Sequence, residues 1–504
     1  MRFGFIGQAS ATWRSCPDTA LMHIKELHGK RICILGFGRE GKATLKALEQ
    51  YAPDTDVTIA DREEQTEIRN PKSEIKIQFQ TGKNYADHLD TFDVVIKSPG
   101  IPPSELRQAT YNLQPTTYHL TSATQIFFDS IADTGATVIG VTGSKGKSTT
   151  ASLIYSILHA TATTYNLQPT TYLIGNIGTP ALDFLDKAKP GVTFVMELSS
   201  YQLMDITVSP HIAVITSFFP EHLDYHGSLD AYKKAKQHIC RFQRKTDIVF
   251  YPSQQTTSPH PALSRGERVK RATASEGEGE GADAIAMLSP GKKIPYSEKD
   301  APVKIDETKL IGHHNLRNIA AAWKVTEHCG ISRAIAIQAI RAFQPLPHRL
   351  QSLGIHHGIE WVDDAISTTP ESTIAALDAL GERVTTIILG GLDRGYDFTE
   401  LTKRIACSSI QAVILLTTES SPGSAPRIRA ALEATGINVQ CFAAQNMKEA
   451  IQFTKTHTPL PPTPYHLPPI CLLSTASSSY TMFKNFEEKG DCFRKAINTI
   501  TTTP

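Results

Sequence analysis

The chain of 504 residues predicts about three domains, because domains average roughly 150 residues, and it excludes a single compact core. Apolar residues make up 40% of it and charged residues 20%, which excludes a mainly disordered protein. With 51 basic and 50 acidic residues the formal net charge is +1, so no general attraction to nucleic acid or to an anionic membrane is expected. Any bound anion therefore needs a local site.

The sequence also gives no sign of export or of membrane insertion. It contains no apolar run of about 18 residues, and its N-terminal apolar stretch is too short for a signal-peptide core. Eight cysteines lie far apart without a CxxC pair, which predicts reduced thiols rather than a zinc site or a disulfide framework. We expect a cytoplasmic monomer with neither nucleic acid nor membrane as a partner.

The first predicted domain covers residues 31–135 and follows an N-terminal extension of residues 1–30. Its sequence RICILGFGREGKATLKALEQ predicts a buried strand, a glycine-rich turn and a helix, and VTIADR predicts a strand that ends at Asp61. This order is typical of a doubly wound α/β domain. The turn has the pattern GxGxxG, and Asp61 follows it at the spacing of a dinucleotide site. A turn that only closes the sheet, or that binds a uridine nucleotide, fits this pattern equally well.

The second predicted domain covers residues 136–344 and contains the strongest local signal. The sequence GVTGSKGKST lies between the apolar strand ATVIGVTG and the helix TTASLIYSIL. Backbone N–H groups at such a turn bind phosphate oxygens, a lysine reaches the outer phosphates, and a serine ligates Mg²⁺. Val141 stands where the strict GxxxxGKS pattern has glycine, so the turn is a variant form. The predicted ATP-binding residues of the turn are Gly143, Ser144, Lys145, Gly146, Lys147, Ser148 and Thr149.

Three further side chains of this domain indicate a metal site. Glu197 follows the buried strand TFVME, His222 follows the strand AVITSF, and Lys236 lies in the predicted helix AYKKAKQHI. A carboxylate and an imidazole at neighbouring strand ends are a possible Mg²⁺ site. Against this, an isolated histidine is more often structural, and a helical lysine usually faces solvent.

The third predicted domain covers residues 345–504, and its strands TTIILGG, AVILLTT and ICLLST alternate with helical stretches. We expect an α/β protein with mostly parallel sheets, in which Rossmann-like N-terminal and C-terminal domains flank a P-loop ATPase domain. The sequence TYNLQPTTY occurs at residues 110–118 and again at 164–172, and we predict loop insertions there. The polar, glycine-rich residues 253–282 predict a disordered loop.

Seven motifs together resemble the Mur ligase family. In chain order they are TGSKGKST, MELSSYQL, EHLDYHG with AYKKAK, GHHNLRN, PHRLQ, ILGGLDRG and MFKNFEEKGD, and the last two resemble the glutamate-adding members. The resemblance implies an ATP-dependent ligase of peptidoglycan precursor synthesis. Such an enzyme adds D-glutamate to UDP-N-acetylmuramoyl-L-alanine through an acyl phosphate.

The resemblance also implies roles for single residues. Lys147 is expected to act in catalysis with the ATP phosphates, and Asn176 to lie near the reacting phosphate. Ser148, Glu197, His222 and Lys236 are implied as Mg²⁺ ligands, Lys236 as a carbamate. Further implied contacts are, for the nucleotide, Asn315, Asn318, Arg349 and Asp364; for glutamate, Arg394, Ser479 and Phe486; and for the uridine part, Gly38, Arg39, Asp61 and Arg62.

The third domain departs from the family pattern at three places. Ile366 stands where a lysine usually helps to bind nucleotide, Arg394 replaces a lysine that contacts the incoming glutamate, and STASSS at residues 474–479 replaces SPACAS. Because these changes lie where the amino acid is recognised, L-glutamate is a second possible substrate. Three further functions are compatible with parts of the sequence: a folylpolyglutamate-type ligase, an NAD-dependent dehydrogenase with an appended ATPase, and a scaffold without activity.

Overall fold

The computed structural model describes residues 21–64, 75–109, 118–165, 170–253, 281–458, 467–480 and 482–501. The first twenty residues of the predicted extension, residues 254–280 of the predicted disordered loop, and most of the first TYNLQPTTY copy lie outside the described residues. Within them, no helix is both long enough and apolar enough to cross a membrane.

The chain divides into two compact units. The first unit comprises Met1–Lys304 and Leu316–Ala342, and the second comprises Ile305–Asn315 and Phe343–Pro504. Two of the three sheets lie in the first unit and the third lies in the second unit. The mostly parallel sheets confirm the predicted α/β class, whereas the three-domain boundaries stay a prediction.

The first sheet is parallel throughout, with the strand order β3-β2-β1-β4-β5. Its strands are β1 (Arg31–Leu35), β2 (Asp56–Asp61), β3 (Lys76–Thr81), β4 (Val94–Lys97) and β5 (His119–Ser122). Its helices are α1 (Arg39–Tyr51), α2 (Pro103–Ala109) and α3 (Ala123–Ile131). The central strands are apolar runs because helices of an α/β domain cover both faces of a parallel sheet.

The second sheet, also parallel, has the strand order β11-β10-β9-β6-β8-β7. Its strands are β6 (Thr137–Thr142), β7 (Thr171–Gly175), β8 (Thr193–Glu197), β9 (Ile212–Ile215), β10 (Ile248–Pro252) and β11 (Lys292–Tyr296). The helices of this part include α4 (Lys147–Thr164), α5 (Ser200–Leu203), α6 (Leu223–His226), α7 (Leu229–Gln237), α8 (Asn315–His328) and α9 (Arg333–Ala342).

One apolar core joins these two sheets. Phe127 of α3 packs edge to face against Phe194 of β8, with ring centroids 5.4 Å apart, and both side chains are fully buried. The same core includes Ile34 of β1 and Ala213 of β9. The two sheets are therefore held together by shared packing.

The third sheet has the strand order β12-β13-β17-β14-β15-β16, and only its edge strand β12 is antiparallel to its neighbour. Its strands are β12 (Gln351–His356), β13 (Ile359–Asp363), β14 (Val384–Leu389), β15 (Ala412–Leu416), β16 (Gln440–Ala444) and β17 (Ile470–Leu473). Its helices are α10 (Pro370–Leu380), α11 (Thr399–Ala406), α12 (Ala425–Ala434), α13 (Met447–His457) and α14 (Phe486–Thr501). Neighbouring residues such as Leu472 and Leu473 pack into separate cores on opposite faces, as the alternation of strand side chains requires.

Candidate active site

The glycine-rich turn of the second sheet connects β6 to α4, as the sequence predicts. Gly146 has a φ of +84°, and a Cβ at this position would clash with Oδ1 of Asn318. Glycine therefore permits both the left-handed backbone and the close approach of Asn318. This places one predicted nucleotide-binding residue directly against the phosphate turn.

The lysines of the turn give it positive charge. Nζ of Lys147 donates hydrogen bonds to the carbonyl oxygens of Gly143 (3.0 Å) and Ser144 (2.9 Å). Lys145 forms an ion pair with Glu221 at 2.6 Å. Ser144 is buried, and its hydroxyl lies 2.9 Å from the Tyr232 hydroxyl. Two ammonium groups next to a helix N-terminus favour the binding of an anion.

Glu197 and Asn176 meet at the carboxyl ends of the neighbouring strands β8 and β7. Nδ2 of Asn176 donates a hydrogen bond of 2.9 Å to Oε1 of Glu197. Glu197 is 1% exposed, and its Oε2 has no hydrogen-bond partner among the described residues. A buried carboxylate oxygen without a partner is costly, and a bound cation would remove this cost. Glu197 therefore fits a Mg²⁺ ligand.

Lys236 is buried, although helical lysines usually face solvent. Its side chain extends from α7 to the phosphate turn, where Nζ donates to the carbonyl oxygen of Gly143 at 2.7 Å. The ring of Tyr232 lies 4.9 Å from the same nitrogen. Burial, together with the charge of Lys147, holds the pKa of Lys236 well below its usual value. The structure thus joins Lys147 and Lys236 at one carbonyl oxygen.

His222 lies on the loop between β9 and α6 and has a φ of +55°. Its side chain is half exposed, lies 5.2 Å from the Tyr201 ring, and approaches Glu221 at 4.0 Å. A positive φ is strained for a residue with a Cβ. In the part of the chain that is described, no group of three or more His, Cys, Asp or Glu side chains could hold a metal. A Mg²⁺ site here would therefore also need an oxygen from Ser148 or from a carbamate on Lys236.

The predicted uridine-binding residues lie at the carboxyl edge of the first sheet, and Arg39 and Asp61 make backbone contacts there. The guanidinium of Arg39 donates to the carbonyl oxygens of Gly175 (3.0 Å) and Asn176 (2.8 Å). Oδ2 of Asp61 accepts a hydrogen bond of 2.6 Å from the N–H of Phe37. Arg39 thus holds the loop that carries Asn176.

The other two predicted uridine-binding residues are exposed. Gly38 caps the N-terminus of α1, and a Cβ added there would meet no atom within 4 Å. Arg62 is 69% exposed and pairs with Glu105 at 2.9 Å. Glu105 also accepts a hydrogen bond from the Tyr85 hydroxyl. This edge consequently offers space beside Gly38 and the exposed guanidinium of Arg62.

In the second unit, Asp364 and Arg349 lie at the carboxyl end of β13. Asp364 is buried and accepts hydrogen bonds from the Ser474 hydroxyl (2.8 Å) and from the N–H of Leu350 (3.2 Å). Burial raises the pKa of Asp364 to about 6. Nε of Arg349 is buried and has no hydrogen-bond partner in the described residues. The amide of Asn315, also in this unit, donates to the carbonyl oxygen of Ile311 at 2.8 Å.

The predicted glutamate-binding residues lie at the same edge of the third sheet. Ser479 is 4% exposed, and its hydroxyl finds no partner in the described part of the chain. The Arg394 guanidinium lies 6.0 Å from the centroid of the Tyr480 ring. Phe486 begins α14, and its ring centroid is 6.1 Å from that of His348. The unpaired hydroxyl of Ser479 is available to a ligand.

Comparisons with known proteins decide the family. Residues 141–326 match the Mur ligase middle domain, and residues 348–458 match the Mur ligase glutamate ligase domain. A UDP-N-acetylmuramoyl-L-alanine--L-glutamate ligase of Salinispora tropica is 32% identical over 94% of this chain and 99% of its own length. The chain belongs to the Mur ligase family. It is accordingly an ATP-dependent ligase, as the motifs predicted.

Further relatives of this Mur ligase differ in the enantiomer that their names give. A protein of Xanthomonas axonopodis pv. citri with the same name is 32% identical over 82% of this chain and 84% of its own length. A UDP-N-acetylmuramoylalanine--D-glutamate ligase of Acetivibrio thermocellus is 28% identical over 94% and 98%. Among solved structures, the UDP-N-acetylmuramate-alanine ligase MurC of Thermotoga maritima shares the fold, with a TM-score of 0.55 and 17% identity over 94% of this chain and 100% of that one.

Three charged or aromatic residues of this Mur ligase were missed by sequence reasoning. Glu221 pairs with Lys145, Tyr480 lies beside Arg394, and Lys489 is buried in α14. Each lies within or next to a family motif, so the motifs were a signal for them. Their positions were not readable, because each depends on contacts with residues distant in sequence.

Proposed function

We propose that this Mur ligase joins glutamate to UDP-N-acetylmuramoyl-L-alanine at the expense of ATP. The observation that carries the proposal is the carboxyl edge of the second sheet. There, a buried carboxylate with an unpaired oxygen (Glu197) and two lysines (Lys147 and Lys236) accompany a phosphate-binding turn. The names of the Salinispora, Xanthomonas and Acetivibrio relatives support the two substrates.

The chemistry follows from the poor reactivity of a carboxylate toward amines. The alanine carboxylate of the nucleotide substrate attacks the γ-phosphorus of ATP, the bond to the β-phosphate oxygen breaks, and an acyl phosphate and ADP form. The glutamate amine then attacks the acyl carbon and gives a tetrahedral oxyanion. Collapse of this oxyanion expels phosphate and leaves an amide, while the amine proton passes to a base or to solvent.

Residues of the phosphate turn stabilise the charge that moves in the first step. We assign the ATP phosphates to the turn Gly143–Thr149, with the Lys147 ammonium on the transferred group. Bound Mg²⁺ would neutralise phosphate charge, and Ser148, Glu197, His222 and a carbamate on Lys236 would hold it. We assign Asn176 to the reacting phosphate, and its hydrogen bond to Glu197 would orient that carboxylate.

We assign Asn315, Asn318, Arg349 and Asp364 to the nucleotide. Glutamate is assigned to Arg394, Ser479 and Phe486. The buried, unpaired Nε of Arg349 and Oγ of Ser479 support these assignments, since each would gain a hydrogen bond from a bound ligand.

The enantiomer of glutamate is the open part of the proposal. The motifs predict D-glutamate. L-glutamate is the second candidate, and it is favoured by the names of the Salinispora and Xanthomonas relatives, which are more similar in sequence than the Acetivibrio relative. A dehydrogenase is not favoured, since both carboxylate oxygens of Asp61 accept backbone N–H groups, from Phe37 and Glu63, instead of being left for a ribose.

A coupled assay tests the proposal. Phosphate release from ATP is measured with UDP-N-acetylmuramoyl-L-alanine and with D- or L-glutamate in separate reactions, and the product is identified by mass. We expect release to need the muramoyl nucleotide and one enantiomer. An ¹⁸O label in the alanine carboxylate should appear in the released phosphate. Absence of that transfer would exclude the acyl phosphate. The cytoplasmic location and the monomeric state remain predictions.

A further inference from the structure

Helix α14 carries a buried lysine that has no role in the mechanism above. Lys489 is the fourth residue of this helix, which begins with Phe486, and it is 1% exposed. Burial lowers the pKa of Lys489 to about 7, and the carboxylates of Asp363 and Asp364 act in the opposite direction. Burying an ammonium costs free energy, so a lysine at this position needs specific partners.

The direct partner of Lys489 belongs to the loop after β17, which we call the serine loop (residues 474–479). Nζ of Lys489 donates a hydrogen bond of 2.6 Å to Oγ1 of Thr475. The Thr475 hydroxyl in turn donates to the carbonyl oxygen of Ser477 at 3.0 Å. The two hydrogen bonds form a relay from α14 across the turn of the serine loop.

The serine loop needs such support because its backbone is strained. Ala476, between the two ends of the relay, has a φ of +54°, a conformation that residues with a Cβ seldom adopt. Strained residues persist only where surrounding contacts fix them. Two neighbouring contacts also hold the serine loop. The Ser424 and Ser477 hydroxyls lie 2.7 Å apart, and the N–H of Leu392 donates to the Ser478 carbonyl oxygen at 2.8 Å.

The serine loop ends at Ser479, whose buried hydroxyl is the unpaired group assigned to glutamate. We propose that Lys489 is a positioning residue for amino-acid binding, which acts through Thr475 to hold the serine loop and so the Ser479 hydroxyl in place. This inference rests on the proposed function, in that the ligand positioned is glutamate. Lys489 acts through neighbouring residues and does not itself contact the substrate.

Two substitutions remove the relay at different points. Lys489→Met removes the donor and keeps an unbranched side chain, and Thr475→Val removes the hydroxyl with little change of shape. Both should raise KM for glutamate about tenfold, the effect of one lost buried hydrogen bond. KM for ATP and the rate of acyl phosphate formation without glutamate should stay within about twofold. Thr475→Ser keeps the hydroxyl and should restore the wild-type KM.

The matched control is Thr386→Val. Thr386 is also a buried threonine of the third sheet, but its hydroxyl pairs with that of Thr458, 3.0 Å away, and not with the serine loop. A general loss of stability would affect this variant in the same way. We expect its KM for glutamate to be unchanged.

Amide hydrogen exchange gives a second readout that needs no turnover. Residues 474–480 should exchange faster in Lys489→Met and Thr475→Val than in the wild type and in Thr386→Val. If wild-type enzyme turns over neither enantiomer, the proposed function fails, while exchange still tests the relay. If wild-type enzyme is active and both relay variants keep its glutamate KM and its exchange pattern, the positioning role is wrong. A rise of every KM by the same factor would also overturn it.

Discussion

The first and second sheets of this Mur ligase each carry a strand, a glycine-rich turn and a helix, but the two turns differ in charge. At the first turn, the Asp61 carboxylate from the neighbouring strand accepts the N–H of Phe37. At the second, the N–H of Lys145 donates instead to the neutral hydroxyl of Ser217 at 2.8 Å. A carboxylate at the first turn occupies the place that an anionic ligand would take.

The basic side chains at the two turns also differ in the contacts that they make. Arg39 of the first turn donates to the backbone around Asn176, whereas Lys145 and Lys147 stay at the second turn. The glycine pattern therefore fixes only the backbone shape of the two turns. We infer that the side chain at the carboxyl end of the neighbouring parallel strand, Asp61 in β2 or Ser217 after β9, helps to decide whether the turn binds phosphate or supports another loop. Four substitutions test this division, in order of expected effect.

Lys147→Ala should have the largest effect, because it removes the ammonium placed on the transferred phosphoryl group. We expect phosphate release to fall about a thousandfold, the upper range for loss of one transition-state donor. The assay is substrate-stimulated phosphate release at saturating ATP. Lys187→Ala removes an exposed lysine of the same unit and serves as control. An active Lys147→Ala enzyme would contradict the assignment of the second turn to ATP.

Lys97→Met tests the support that the first sheet gives to the second. Lys97 ends β4, is 2% exposed, and pairs at 2.7 Å with Asp205, which follows α5. Removing the cation leaves a buried carboxylate alone, which should cost about 3 kcal/mol of unfolding free energy in urea titrations. Lys46→Met, which breaks the exposed pair with Asp183, is the control and should cost at most about 1 kcal/mol.

The pH dependence of the Lys97→Met defect gives a second test. Burial raises the pKa of Asp205. A carboxyl group whose pKa is higher in the folded than in the unfolded state destabilises the fold at pH values above its folded pKa, where it is ionised. This cost in unfolding free energy disappears as the pH falls from the folded pKa to the unfolded pKa. The difference in unfolding free energy between Lys97→Met and the wild type should therefore become smaller as the pH is lowered. A gap that widens would show that Asp205 is not the destabilising group.

Lys236→Ala should lower phosphate release about a hundredfold, and a short carboxylic acid such as acetate or propionate should restore part of it. The expected reason is that the acid replaces the carbamate oxygens proposed as Mg²⁺ ligands. The test is a titration of each acid against the variant and against Lys147→Ala, which should not respond. Without any rescue, the carbamate role of Lys236 would be unsupported.

The sequence was sufficient for features that depend on local pattern. Apolar runs followed by glycine predicted β1 and β6, and the helix after the phosphate turn begins at Lys147. Glu197 was predicted at the carboxyl end of a buried strand, and it is the last residue of β8. Local signals sufficed here since strand ends of a parallel sheet meet at one edge.

The sequence was not sufficient where the environment of a side chain depends on distant residues. Lys236 is buried against a turn that precedes it by more than ninety residues, although its helix alone predicts exposure. Arg39 binds a loop that lies 137 residues further along the chain. The relay from Lys489 likewise depends on a partner outside its own helix, since Thr475 lies on the loop before α14. Such contacts are set by packing rather than by periodicity.

Arg39→Ala should have the smallest effect on activity, because Arg39 is exposed and acts through the position of Asn176. We expect kcat/KM to fall about tenfold, the equivalent of one charge-assisted hydrogen bond. Arg31→Ala removes an exposed arginine at the opposite end of β1 and is the control. In a double mutant with Asn176→Ala, the two losses should not add, since both act on the same loop. Additive losses would mean that Arg39 contacts the uridine substrate independently, and the first turn would then be a ligand site like the second.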